Sequence, residues 1–395
     1  MTEAFRAVEA LALAHEDYLI GMRRHFHRHP EVSREERETS RAVRRELEAL
    51  GLEVHGSEAH HGLFADIEGA APGRTLLLRS DMDALPVPEK TGCGFASLSP
   101  GVSHACGHDC HMAMLLSAAR VLVALRDRFA GRVRLCFQPA EEIGAGAQMV
   151  IGEGWLEGVD ATFAVHVWSD IDAGKASVMT GPCMASCDRF AVKVRGRGCH
   201  GSQPYLGVDT VAAAAQVVCN LQSIVSRELS PFESVVITVA SLQAGTSWNI
   251  IPGEALLRGT TRTFSNPVRA TLEERIRRVA TQVAAAHRCE AELEYEYLSG
   301  PVINDPAVAG PAREAALAVF GPGGGSYSYG LMMASEDYSM YGERAPSALA
   351  LLGVRSEEAD SGWPQHSERY KVDESALVKG VMLHALTALN YLGAA

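Results

Sequence analysis

Residues 103–114 read SHACGHDCHMAM, and the chain on either side takes its meaning from them. Cys106 and His108 stand two residues apart, just ahead of Met112, Leu115, Leu116, Ala119 and Leu122, whose spacing is that of a helix. A helix N-terminus carries unpaired N–H groups and partial positive charge, which favours thiolate over thiol, and thiolate is the form that binds metal. The same pair also suits a small buried hydrophobe beside a hydrogen-bonded core histidine. Two donors at one spacing do not make a site, so further ligands must come from elsewhere in the chain.

The 395 residues, 47% of them hydrophobic, suffice for a large core and predict two domains. With 48 acidic against 36 basic residues the net charge is -12. There is no basic run or basic–aromatic stripe, so nucleic acid is not an expected partner. Nine cysteines without framework spacing fit reduced thiols better than a disulfide scaffold. The first 31 residues lack the basic start, apolar run and small-residue cleavage site of a leader, and no apolar stretch reaches the length of a membrane span. A mature cytoplasmic chain with no membrane partner is expected.

Helices are predicted over residues 3–29 and from Glu35 to Leu50, the latter stopping at Gly51. Where the first of these gives way, His25, His27 and His29 alternate beside Pro30, which suits an extended turn whose histidines point different ways rather than a metal cluster. The run Arg74–Ser80 is of strand length and ends in Asp81 and Asp83. Arg132–Phe137 repeats the plan, ending in Glu141 and Glu142, and Ala161–Val167 carries His166 near its end. Strands alternating with helices predict an α/β unit, a mainly parallel sheet with helices on both faces, whose ligands bind outside the carboxyl ends of the strands.

After about Ala185 the texture changes. The order strand, helix, two strands, helix, strand over 186–298 is that of a ferredoxin-like α+β domain. From Gly300 the earlier style returns, with a helix after Pro311, a Gly-rich loop, the acidic loop ASEDYS, a strand ALALLGV, a loop carrying His366 and a last helix from Glu374 to Leu392. The economical reading is one domain made of residues 1–185 and 299–395 with a second, 186–298, inserted into it.

Collected at one sheet edge, Cys106, His108, Glu141, Glu142, His166 and His366 offer sulfur, nitrogen and oxygen donors suited to one or two divalent cations. Taken singly, each is as well explained by a solvated loop carboxylate or a hydrogen-bonded histidine.

Over nearly its whole length the chain resembles the amidohydrolase branch of peptidase family M20, subfamily D. The blocks that carry the resemblance are SDMDALP (80–86), HACGHDCH (104–111), QPAEE (138–142), HVW (166–168), DRFAVKVRGRGCHGSQP (188–204), NIIP (249–252), GTTRT (259–263), ASEDYS (334–339) and the late His366. That branch includes hippurate hydrolases, aminoacylases, N-acetyl-diaminopimelate deacetylases and plant auxin-conjugate hydrolases. The resemblance implies a metal-dependent hydrolase of the amide bond in small N-acyl amino acids. It implies two divalent ions per subunit, manganese or zinc with cobalt or nickel as alternatives, held by Cys106, His108, Glu142, His166 and His366. By the same matching Glu141 is the general base, Asp83 orients a ligand histidine, His200 polarises the amide carbonyl, Asn249 hydrogen-bonds near it and Arg262 receives the substrate carboxylate. The inserted domain corresponds to a lid through which a homodimer forms.

Three positions depart from the family pattern. Tyr205 stands where a histidine is common, Ser169 replaces the proline after HVW, and Trp248 precedes Asn249. None is a proposed ligand or base, so they bear on substrate preference. A dipeptidase or carboxypeptidase is the neighbouring reading. Two remoter ones are a Cys106 nucleophile with His108 as its base, and a metal-binding module without turnover.

Overall fold

Every residue of the strand Thr75–Asp81 is buried, and the molecule is layered around it. The structure, a computed structural model, describes residues 2–393. Along the chain come α1 (Glu3–Ala14), α2 (Glu16–Arg28), α3 (Arg37–Ala49), β1 (Val54–Gly56), β2 (Leu63–Glu68), β3 (Thr75–Asp81), α4 (His108–Ala124) and β4 (Arg132–Gln138). There follow α5 (Gly146–Gly152), β5 (Ala161–Asp172), β6 (Ala176–Ser177), β7 (Gly181–Met184), β8 (Cys187–Arg195), β9 (Cys199–His200) and α6 (Thr210–Ser223). The remainder is β10 (Val235–Ala244), β11 (Ile250–Ile251), β12 (Glu254–Thr263), α7 (Asn266–Ala286), β13 (Glu290–Ser299), β14 (Val302–Asn304), α8 (Pro306–Gly325), β15 (Ser347–Arg355) and α9 (Leu377–Leu392).

Two compact units result. One comprises the chain up to Gly181, Ile303–Gly330 and the part from Asp337 onward; the other is Pro182–Val302 with Leu331–Glu336. The short segment 331–336, placed by the sequence reading with the first domain, lies in the second unit because Met332 pairs with Met184 and its carbonyl accepts the Ala185 N–H at 3.0 Å.

The first unit holds a seven-stranded sheet in the order β1-β2-β4-β3-β5-β15-β6. Its four central strands run parallel, and β1, β2 and β6 add antiparallel edges. Alternation along the strands separates two faces. Leu76 and Leu78, Val133 and Leu135, Phe163 and Val165, and Ala350 and Leu352 enter one continuous apolar core with α1–α4, α8 and α9. Full burial of each large side chain there stabilises the fold by about 1.5–3 kcal/mol. The other face carries Arg79, Gln138 and Thr162, which bond to Asp337 and Tyr338 of a 3₁₀ segment, Asp337–Glu343. Because the central strands are parallel, β3, β4 and β5 deliver their last residues to one edge.

The second unit has a four-stranded antiparallel sheet, β10-β12-β8-β13, backed by α6 and α7 around its own core. Strand order and chain order together are those of the ferredoxin-like arrangement.

One local expectation fails. The histidines before Pro30 are not in an extended turn: α2 runs through Arg28, with His29 as its cap. Proline restricts only the residue before it, so the helix continues to that point. His27 is turned into the protein while His25 and His29 stay exposed.

Candidate metal centre

Five of the sequence-predicted ligands meet at the carboxyl edge of the parallel strands. Cys106, His108 and His166 have ligand atoms all within 4.8 Å of one another, as do Cys106, Glu142 and His366, and also His108, Glu141 and Glu142. That span is about twice a 2.0–2.3 Å metal–donor bond. Cys106 Sγ is 3.6 Å from His166 Nε2, Glu142 Oε1 is 3.8 Å from His108 Nε2, and Glu142 Oε2 is 3.4 Å from His366 Nε2.

Local structure explains why these atoms converge. Gly107, between the first two donors, has φ 88°, and a Cβ there would lie 2.4 Å from Val167 Cγ2, so only glycine lets α4 start against β5. Two non-glycine residues at the site also have positive φ, Ala140 before the carboxylate pair (54°) and His366 (65°). The strain is of the kind that a rigid surround must hold in place. The backbone N–H of His366 donates to Ala105 O at 2.8 Å, and that of Ala140 to Glu36 Oε1 at 2.8 Å.

The ring orientations are set as a metal requires. His108 Nδ1 donates to the Asp83 carbonyl at 2.7 Å and His166 Nδ1 to the Val167 carbonyl at 2.7 Å, which leaves both Nε2 atoms turned to the centre. His108 Nε2 and Glu142 Oε1 are buried without any hydrogen-bond partner. Orphaned buried polar atoms are costly, and two of them facing each other among thiol, imidazole and carboxylate donors fit a divalent cation.

Asp83 does more than orient His108. Its carboxylate accepts the N–H groups of Glu141 at 3.1 Å and Glu142 at 3.0 Å, together with the Ser33 hydroxyl at 2.6 Å. It therefore fixes the backbone from which both glutamates project.

Reading the sequence missed Asp81 and His111. Asp81 accepts from His111 Nδ1 at 2.6 Å, and His111 Nε2 accepts the Val167 N–H at 2.9 Å, so this imidazole is committed on both sides and braces the residue next to His166. Arg79 joins Asp81 and Asp337 beneath them. The available signal was the three-residue spacing from His108 to His111, which puts both on one helix face. Ser169, one of the family departures, donates to Gln365 beside His366 at 3.0 Å, a bond that a proline could not make.

Electrostatics argue against a nucleophilic thiol. Burial, reinforced by the Glu142 carboxylate, pushes the Cys106 thiol well above its ordinary value. Burial also raises the Glu142 carboxyl to about 7 and holds the His166 imidazole well below its usual range. Desolvation opposes charge on His108, yet the facing Asp81 and Asp83 carboxylates outweigh it and favour the imidazolium. The thiolate half of a thiolate–imidazolium pair is thus what this surround disfavours, and a cation bound there would reverse the sulfur's preference.

The remaining predicted residues are in the second unit. His200 in β9 pairs with Ile250 of β11, and the Asn249 carbonyl accepts the Gly201 N–H at 2.8 Å, so His200 and Asn249 are neighbours. His200 Nδ1 accepts the Ser202 N–H at 3.1 Å, which leaves Nε2 to carry the proton. Arg262 is not with them. It sits near the far end of β12, donating to Ser335 Oγ at 2.8 Å, whereas His200 and Asn249 adjoin the Glu254 end. Eight strand residues, roughly 26 Å, separate Arg262 from that end.

A parallel-sheet unit with sulfur, nitrogen and oxygen donors gathered at its strand ends, joined to a ferredoxin-like unit, defines a two-unit α/β protein with a candidate metal centre. The profile of peptidase family M20/M25/M40 matches residues 77–390, and the chain belongs to that family. It is 40% identical over 368 residues to an N-acetyl-L-cysteine deacetylase of Bacillus subtilis (strain 168), across 92% of this chain and 86% of that one. It is 35% identical over 380 residues to thermostable carboxypeptidase 1 of Saccharolobus solfataricus, across 95% of this chain and 96% of that one. Among solved structures, a dinuclear metal binding peptidase of the M20 family from Bacillus subtilis matches with TM-score 0.85 and 35% identity, covering 96% of this chain and 99% of that one. Among the described residues all nine cysteines are free, and no helix is long and apolar enough to cross a membrane.

Proposed function

We propose that the protein is a metal-dependent hydrolase that cleaves the amide bond of N-acyl amino acids, releasing a carboxylic acid and a free amino acid. The observation that carries this reading is the convergence of Cys106, His108, Glu142, His166 and His366, with two histidine nitrogens locked inward beside the Glu141–Glu142 pair. Divalent cations held by those five residues would supply Lewis acidity, lowering the pKa of a water and polarising the scissile carbonyl. Glu141 takes the proton of the attacking water as the new C–O bond forms, then delivers it to the amine nitrogen as the C–N bond breaks. Nε2–H of His200 donates to the oxyanion, and Arg262 offers its planar fork to the substrate carboxylate.

The distance between Arg262 and the His200–Asn249 pair supports an assembly. An N-acyl amino acid is far shorter than roughly 26 Å of strand, so one substrate can engage both only if the two halves come from different subunits. A homodimer through the second unit meets that need. Zinc or cobalt suits the thiolate and imidazole donors and manganese the carboxylates, and nine free thiols fit a reducing cytoplasm.

The resemblance to a carboxypeptidase favours a second reading, peptide substrates at the same site, since a peptide is an acylated amino acid. Hydrolysis of a panel of acetyl, benzoyl and indolyl amino acids beside dipeptides tests both. Turnover concentrated on the acyl amino acids is expected; turnover on peptides alone would transfer the assignment, and none on any member would remove it.

A further inference from the structure

We propose that His27, Glu89 and Cys93 form a separate divalent-cation site, suited to a borderline ion such as Zn²⁺. Their ligand atoms all lie within 4.8 Å of one another. His27 Nε2 is 3.2 Å from Glu89 Oε1, and Cys93 Sγ is 3.5 Å from the same oxygen. Tetrahedral zinc with bonds of 2.0–2.3 Å needs donor separations of about 3.3–3.7 Å, so an ion could be accepted with shifts of a few tenths of an ångström.

The surroundings are those of a built site. His27 Nδ1 faces Asp109 Oδ2 at 2.7 Å, the carboxylate–imidazole arrangement that fixes a ligand histidine with its other nitrogen outward. Glu89 is held on both oxygens, by the Thr91 hydroxyl on one and by the Ser97 N–H at 2.6 Å on the other. Gly92, at φ 68°, makes the turn that returns Cys93 to Glu89. His27 and Glu89 have side chains only 3% and 6% exposed, while Cys93 is half-buried and lines a cavity of about 580 Å³ whose wall carries Asp373 and Glu374 together with Arg23, paired with Glu374 at 3.2 Å, and Lys371. Three protein donors leave the fourth position to the cavity, which is also the route in. A bound ion would tie the 86–98 loop to α2 and, through Asp109, to the first turn of α4 beside His108.

Full-length wild-type protein and a Cys93→Ala variant, each saturated with Zn²⁺ and freed of excess by gel filtration, are compared by elemental analysis. The variant is expected to hold one equivalent fewer, whatever number the strand-end centre carries, and a Glu89→Gln variant the same. A Thr91→Val variant should keep the count but release that equivalent about 10-fold more readily. Cadmium NMR should show one resonance more in wild type than in the Cys93→Ala variant. Equal metal counts and equal resonances in wild type and both ligand variants would overturn the site.

Discussion

Glu141 and Glu142 are chemically identical neighbours, and the division of labour proposed for them rests on what each side chain meets. Glu142 reaches His108 and His366, while the Asp83 carboxylate holds the peptide N–H groups of both. A Glu141→Gln substitution keeps the shape and removes the base. Expected is a fall in kcat of about 10²–10⁴-fold with an unchanged metal content by elemental analysis; loss of metal together with activity would make Glu141 a ligand instead. The pair was legible as acids at a strand end, and the resemblance assigned their roles. The bracing of His111 by Asp81 was not legible: the His108–His111 interval puts both rings on one helix face, but a buried aspartate that braces a second histidine has no spacing of its own. Its meaning appears only when β3, α4 and β5 are brought together.

At the scale of elements, α3 and the loop after β4 are joined through one buried acid. Glu36 stands at the N-cap position of α3, is wholly buried, accepts the Ala140 N–H on Oε1 and leaves Oε2 without a partner. Burial raises its carboxyl from 4.5 to about 7. Below pH 4.5 both folded and unfolded chains hold this proton; above it the unfolded chain releases it first, so stability falls as the pH rises through 7. Thermal melts of ion-free protein should therefore show wild type losing on the order of 3 kcal/mol relative to Glu36→Gln over that range, and parallel curves would contradict it. The parallel strands and the α4 start were readable from apolar runs and helical spacing. The histidines of α2 were misread because the proline beyond them was given a longer reach than its ring has.

For the whole molecule, the second unit carries both Arg262 and His200, and about a strand-length keeps them apart. Nothing in the sequence spacing reveals that Arg262 lies near one end of β12 while the β9–β11 pair carrying His200 follows from the other, since strand register decides it. If His200 serves the partner's centre, mixing inactive His200→Ala and Glu141→Gln subunits should regain activity, because one site per hybrid dimer then has both residues intact. A mixture that stays inactive after verified subunit exchange would place His200 in its own chain's site.

Chelation followed by titration with Mn²⁺, with hydrolysis of an N-acetyl amino acid followed throughout, tests the five-donor centre most directly. Ion-free protein should be inactive, and activity should return and saturate at two equivalents per chain. Hydrolysis at the full rate by protein shown to contain no metal would contradict it.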